Sequence, residues 1–271
     1  MLLFCGTISL AQEDRAQLIK KEEGFSHPES IIQHPSGSFW YVSNMAGNTK
    51  GDGFISRLNK DGKIETLKWI TGLEDPKGLL FHKGQLYVSN NTEFIQIDAE
   101  SGEITDIFEV EGAKSLNDVT LGENDNIYIS DMGKNSIYVF DPEEGEVSEW
   151  LNSDELKDPN GVLMVDNMLY VGSWGNEEPG NLNVINPDDK TIEQVTTGGI
   201  GNVDGLQKID GNSFYVSDWG TGRIFKVNRQ GEKELILTAE KSSGDILYIE
   251  DRNQLVLPMN LQNAIWWYQL N

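Results

Sequence analysis

FWYVSN at residues 39–44 is the first of six related stretches; the others are LYVSNN (86–91), IYISDM (127–132), LYVGSW (169–174), FYVSDW (214–219) and LVLPMN (255–260). Each is rich in β-branched and aromatic residues and ends on a small or polar pair, the composition of a short buried strand that stops at a turn. Upstream of each lies a second motif, in order HPESII (27–32), DPKGLL (75–80), SLNDVT (115–120), DPNGVL (158–163), NVDGLQ (202–207) and SSGDIL (242–247), and a turn signal such as HPSGS, HKGQ or GENDN separates the two. A third strand follows in every copy, as in GFISRL or RIFKVN, and a fourth in most, as in KIETLKW or KELILT. Units of 40 to 48 residues, each with three or four antiparallel strands and almost no helical periodicity, predict an all-β fold, a six-bladed β-propeller. The last copy ends at the chain terminus without a fourth strand, while residues 17 to 25 have no blade of their own. The simplest closure enters that N-terminal segment into blade six as its outer strand, which removes a sheet edge. Residues 12–271 are therefore expected to form a single propeller domain.

Composition narrows the function. The 271 residues include 44 Asp plus Glu against 21 Lys plus Arg, a formal charge of −23. Such a surface repels nucleic acid and anionic membranes, because binding a polyanion needs a basic face and no basic cluster is present. The single cysteine, Cys5, excludes a disulfide framework, a CxxC redox site and a cysteine-ligated zinc. MLLFCGTISLA (1–11) reads as the remnant of a secretory signal peptide cut before Gln12, with an N-terminal strand or a lipoprotein anchor at Cys5 as alternatives. The signal reading implies a periplasmic or secreted protein. No later stretch is long and apolar enough to span a membrane.

In an antiparallel meander the start of the first strand lies beside the end of the second, so both motifs fall on one face, around the central channel. Aligning the copies at the position before the Gly or Asp of the first motif gives Glu29, Lys77, Asn117, Asn160, Asp204 and Gly244. Asn and Asp before Gly are also ordinary turn residues. Four such oxygens in register with the repeat nevertheless suggest a ligand set, and oxygen donors without His or Cys suit a hard divalent cation such as Ca²⁺.

These residues resemble the senescence-marker-protein and gluconolactonase (regucalcin-like) family and, more distantly, the paraoxonases, six-bladed propellers with a calcium-type ion in the channel. The resemblance covers roughly residues 20 to 271 and rests on the order of short motifs: Glu29, Asn117-Asp118, Asn160-Gly161 and Asp204-Gly205. It implies that Glu29, Asn160 and Asp204 bind the metal, that Asn117 binds it directly or through water and faces the substrate, and that Asp118 stands behind them. It further implies a lactonase or esterase whose ion polarises the carbonyl of a small-molecule substrate, with Asp204, or a spare carboxylate such as Asp245, as general base.

The chain departs from the pattern twice. Regucalcin-like lactonases carry an Arg two residues before the third-blade Asn, where this chain has Ser115, with Lys114 adjacent as a possible substitute. Paraoxonases use a histidine pair, whereas the histidines here are His34 and His82 in far-side turns and His27 near the mouth. Lys77 raises a further question. An ammonium about 6 Å from a divalent ion costs roughly 5 kcal/mol at an effective dielectric near 20. Lys77 therefore points away, or pairs with Glu29 in place of the metal, or holds an anionic substrate group or the oxyanion. The second arrangement corresponds to a rival function, a non-catalytic propeller that binds a small ligand or a protein. Around the rim, Trp174, Trp219, Met45, Met132 and Met259 either pack between blades or form an apolar collar for a substrate ring. Arg223 and Lys134 are candidates for a substrate carboxylate.

Overall fold

A computed structural model describes residues 15–47 and 49–271. The leader-like residues 1–11, including Cys5, lie outside the described residues. The strands form six antiparallel four-stranded sheets, accompanied by short 3-10 turns, so the chain is a six-bladed β-propeller. Blades one to five run in sequence order over 28–73, 76–109, 116–152, 159–194 and 203–238. Blade six combines Leu247–Ile249, Gln254–Met259 and Ala264–Leu270 with the N-terminal strand Ala16–Glu23, which pairs antiparallel with Ala264–Leu270 as the outermost strand. The ring is thus closed by the strand expected to close it. Each blade has its fourth strand, down to the three residues Ile192–Gln194 in blade four. No helix among the described residues is long and apolar enough to cross a membrane.

The tyrosine and β-branched pair inside the repeated strand explains how the blades stack. Neighbouring strand residues point to opposite faces, so Tyr41, Tyr87, Tyr128, Tyr170 and Tyr215 pack against the following blade. Val42, Val88, Ile129, Val171 and Val216 pack against the preceding one. Val256 and Leu257 serve the same two interfaces in blade six. The core is consequently a set of apolar wedges between blades. The channel is left to the inner strands, whose polar residues could not have been placed in those wedges without loss of hydrogen bonds to water.

Candidate functional site

Five inner strands share one irregularity. The pairing of first with second strand shifts register between Pro28 and Ile31, Pro76 and Leu79, Leu116 and Val119, Pro159 and Val162, and Val203 and Leu206. A bulge bends its strand and re-aims the extra residue. Here the same bulge holds Glu29, Lys77, Asn117, Asn160 and Asp204, one per blade, and all five are buried.

Serines of the second strands secure these bulges. Ser130 Oγ accepts the Asp118 N–H at 2.9 Å and donates to the Asn160 carbonyl of the next blade at 2.6 Å. Ser217 Oγ likewise accepts from Gly205 at 2.7 Å and donates to Gly244 at 3.1 Å, Ser89 donates to the Asn117 carbonyl, and Ser43 accepts from Ser30 at 2.9 Å. The backbone at Asn117, Asn160 and Gly244 is therefore tied to the preceding blade. The inner strands approach so closely that side chains are excluded beside several ring residues. A Cβ on Gly78 would sit 2.7 Å from the Asn117 carbonyl oxygen, and one on Gly161 would collide with the Asp204 carbonyl. Gly161→Ala is accordingly expected to lower stability by about 3 kcal/mol or more, and Tm by roughly 6 °C or more. Thermal and denaturant melts measure both.

The last side chain of the second strand, the Asn or Asp of the SN and SD pairs, has a separate task. Asn44 Oδ1 accepts the Ser26 N–H at 3.0 Å, Asn90 Oδ1 those of Glu74 and Asp75 at 2.9 and 3.0 Å, and Asp131 those of Lys114, Ser115 and Gly133 at 2.8, 2.9 and 3.0 Å. Asp218 accepts from Asn202 at 3.1 Å. These oxygens satisfy amides of the loops that enter blades one, two, three and five. They brace the mouth without facing it.

Within the ring, the atoms without hydrogen-bond partners are informative. Glu29 Oε2, Asn117 Oδ1, Asn160 Oδ1 and Asp204 Oδ1 are each buried and unpartnered. Leaving one buried acceptor unsatisfied costs about 1–3 kcal/mol, and four at one place is a large local cost. The four are the oxygens singled out from the repeat. Among the described residues no three His, Cys, Asp or Glu side chains form a metal-binding group by themselves. A cation held here would therefore need the two carboxamides as well, a mixture of donors that suits a hard cation with water completing its shell.

Asp118 and Asp245 directly follow the ring positions Asn117 and Gly244, and both are buried. Asp118 accepts from Val119 at 2.7 Å and from Val162 of the next blade at 2.8 Å. Asp245 accepts from Ser30 Oγ at 2.7 Å, bridging blades six and one. Burial pushes all four carboxyls up. Glu29 is raised further by Asp204, Asp245 and Asp118, and Lys77 opposes the shift. Asp204 is raised also by Asp245, with Lys77 and a hydrogen bond from Asn160 opposing. In Asp118 the field of Asp245 adds to burial, and its amide bonds oppose it. Asp245 is pushed up to about 7 by burial, against the Ser30 bond. These fields run between carboxyls of blades one, three, five and six, residues far apart in sequence that the fold brings to one channel.

Lys77 does not pair with Glu29. Its Nζ lies 2.7 Å from Asp75 Oδ2 and 3.4 Å from Ser115 Oγ. The closing ion pair envisaged for a non-catalytic propeller is replaced by a contact with the residue two positions away in the same chain segment. Neither Asp75 nor the Ser115 hydroxyl was singled out as its partner from sequence; the DPK tripeptide was the available signal.

The rim divides. Trp174 and Trp219, both half-buried, lie against each other with ring centroids 5.4 Å apart. Met45 is half-buried and Met132 contacts the Asn117 amide, Nδ2 to Sδ 3.9 Å. Met259 is instead fully buried in the wedge between blades five and six, so it belongs to no collar. Arg223 is bound to Asp218 at 3.1 Å and to Thr221 at 2.8 Å. Lys134 forms an ion pair with Glu149 at 2.5 Å and a hydrogen bond with the Tyr138 hydroxyl at 3.1 Å. Both cations expected at a substrate carboxylate therefore have partners in their own blades. Lys114 is exposed. His27 Nδ1 contacts the Ala46 carbonyl at 2.6 Å, His34 packs on Phe39 and Phe81 at 4.7 and 4.8 Å, and His82 faces Asp125 at 3.0 Å. A cavity of about 870 Å³ opens at the opposite end of the inner strands, walled by Ile32, Leu80, Phe81 and Tyr248, and contains none of the ring residues.

No protein-family model matches this sequence, and no curated protein does. Solved structures do match in shape. A virginiamycin B lyase from Staphylococcus aureus is 16% identical with a TM-score of 0.66, over 89% of this chain and 80% of that one. A streptogramin B lyase is 13% identical with a TM-score of 0.66, over 96% of this chain and 100% of that one. A chain of a nidogen/laminin complex is 16% identical with a TM-score of 0.63, over 77% and 86%. An enzyme and a member of a protein complex thus share this architecture, and at such identities the likeness establishes the propeller fold for this chain and leaves its chemistry to the ring residues.

Proposed function

We propose that this protein is an exported, calcium-dependent hydrolase of a lactone or similar small ester, with its site at the channel mouth. The observation that carries the reading is the convergence of four buried, unpartnered oxygens, from Glu29, Asn117, Asn160 and Asp204. These four would hold the ion, and two of them supply negative charge to balance it. A bound Ca²⁺ would polarise the ester carbonyl and stabilise the oxyanion as water adds. The order of motifs shared with regucalcin-like proteins supports the same activity, and the use of this fold by a lyase shows that it accommodates catalysis.

The chain's own residues supply the remainder. Water forms a bond to the carbonyl carbon, the ring C–O bond breaks, and the proton lost by the water ends on the departing alkoxide, giving a hydroxy acid. Asp204 would carry that proton; in the ion-free channel burial and Asp245 raise its carboxyl above the ordinary value. Asp118 locks the ligand-bearing strand of blade three to blade four. Trp174 and Trp219 form an apolar wall for the ring of the substrate. A panel of γ- and δ-lactones, assayed by pH-stat with Ca²⁺ and with chelator, tests the proposal. Hydrolysis that requires Ca²⁺ is expected; hydrolysis indifferent to chelation, or none with any lactone, contradicts it.

A further inference from the structure

The cavity of about 870 Å³ at the far end of the inner strands is walled by blades six, one and two and takes no part in the ring chemistry. Its size falls within the range of about 300–1,000 Å³ usual for small-molecule sites. Ile32 and Leu80 supply aliphatic walls, and Phe81 and Tyr248 supply rings from the two blades that flank blade one. All four side chains are half-buried. Both rings are held by aromatic neighbours: Phe81 meets His34 edge-on at 4.8 Å, and Tyr248 meets Tyr215 edge-on at 5.0 Å. The Tyr248 hydroxyl also donates to Asn253 Oδ1 at 3.1 Å. A ligand would therefore meet walls already in place, with little side-chain ordering left to oppose binding.

The charge at this end has one sign. Glu250 and Asp251 line the cavity, and no Lys, Arg or His does. Both carboxylates are exposed, and neither forms an ion pair among the described residues. Arg252, next in the chain, lines a separate depression with Lys20 and Lys60. Aromatic faces, aliphatic walls and two unpaired carboxylates have one complementary ligand class. An organic cation buries its hydrocarbon body against the walls, sets its ammonium over an aromatic face and compensates the carboxylates. An anion meets like charge here, and a neutral molecule leaves the carboxylates uncompensated. We propose that the far-end cavity is a second binding site, selective for a small organic cation with an apolar body, such as an arylalkyl ammonium. The site is independent of the hydrolase reading and needs neither Ca²⁺ nor any ring residue.

Calorimetric titration of the whole protein in about 0.15 M salt, which screens diffuse attraction to the acidic surface, tests the site with phenylpropyltrimethylammonium. Phenylpropanol supplies the body without the charge, and tetramethylammonium the charge without the body. Wild type is expected to bind one arylalkyl cation per chain, at least about tenfold more tightly than either control. In the double variant Glu250→Gln, Asp251→Asn the advantage over the alcohol is expected to fall at least about threefold while the alcohol binds as before. Phe81→Leu, which keeps an apolar wall but removes a ring, is expected to weaken the cation more than the alcohol. Glu29→Gln, altered at the other mouth, is expected to bind the cation like wild type. Equal binding of cation and alcohol by wild type, or an undiminished advantage in the double variant, overturns the proposal. Weakened binding in Glu29→Gln would put the cation at the ring and overturn it as well. Glu250→Gln alone replaces the double variant if the latter does not give a native melting curve.

Discussion

In calcium-saturated protein, Asp204→Asn is expected to lower kcat for lactone hydrolysis by about 10²–10⁴-fold, the usual contribution of a positioned general base. The substitution keeps the shape of the side chain and the hydrogen-bonding capacity of one oxygen, so the backbone stitches around Gly205 are retained. It removes the proton acceptor. Asp204 is buried, and in the ion-free channel burial and Asp245 raise its carboxyl above the ordinary value. Assays at several Ca²⁺ concentrations separate lost chemistry from weakened metal binding, because only the latter recovers as the ion is increased. A rate equal to wild type would remove Asp204 from the reaction.

The second large effect is on stability. A carboxyl with a raised folded pKa binds its proton more tightly in the native state than in the unfolded chain, so stability falls as pH rises from the unfolded value through the folded one. For Asp245 the window runs from its ordinary value of 3.8 to about 7, and a shift of that size amounts to about 4 kcal/mol. Glu29, Asp118 and Asp204 act in the same direction. Chelator-treated protein is therefore expected to lose Tm steadily between about pH 4 and pH 7, the span of the Asp245 shift. Calcium at pH 7.5 and about a hundred times its Kd should restore about 2.7 kcal/mol, roughly 5–10 °C. A flat Tm across that pH range without metal would contradict the electrostatic account of the channel. The absence of any calcium shift would contradict the ligand set.

The propeller was readable because its period is written several times over. A tyrosine and β-branched pair recurring in register specifies two blade faces, and each copy corroborates the others. The ring was readable for the same reason, since six-fold geometry turns one sequence offset into one place in space. Features set by side-chain rotamers were not readable. The four-carbon stem of Lys77 reaches Asp75, Ser115 or Glu29 from one Cα position, and only the packed structure selects among them. Arg223 and Lys134 were expected at a substrate because their loops reach the mouth; their partners Asp218 and Glu149 come from adjacent strands, a proximity that strand register decides. The serine stitches are present in sequence as the S of YVSN and FYVSD. Their meaning depends on how closely neighbouring inner strands approach, which no local pattern encodes.

The most direct test of the central claim is a calcium titration of wild type beside Asn160→Ala. A chain with a charge of −23 attracts Ca²⁺ diffusely, and removing a neutral oxygen leaves that attraction unchanged. Coordination by the four ring oxygens predicts one tightly bound Ca²⁺ per chain, weakened at least about tenfold in Asn160→Ala. Equal affinity in the two proteins, or no saturable site in wild type, would contradict it.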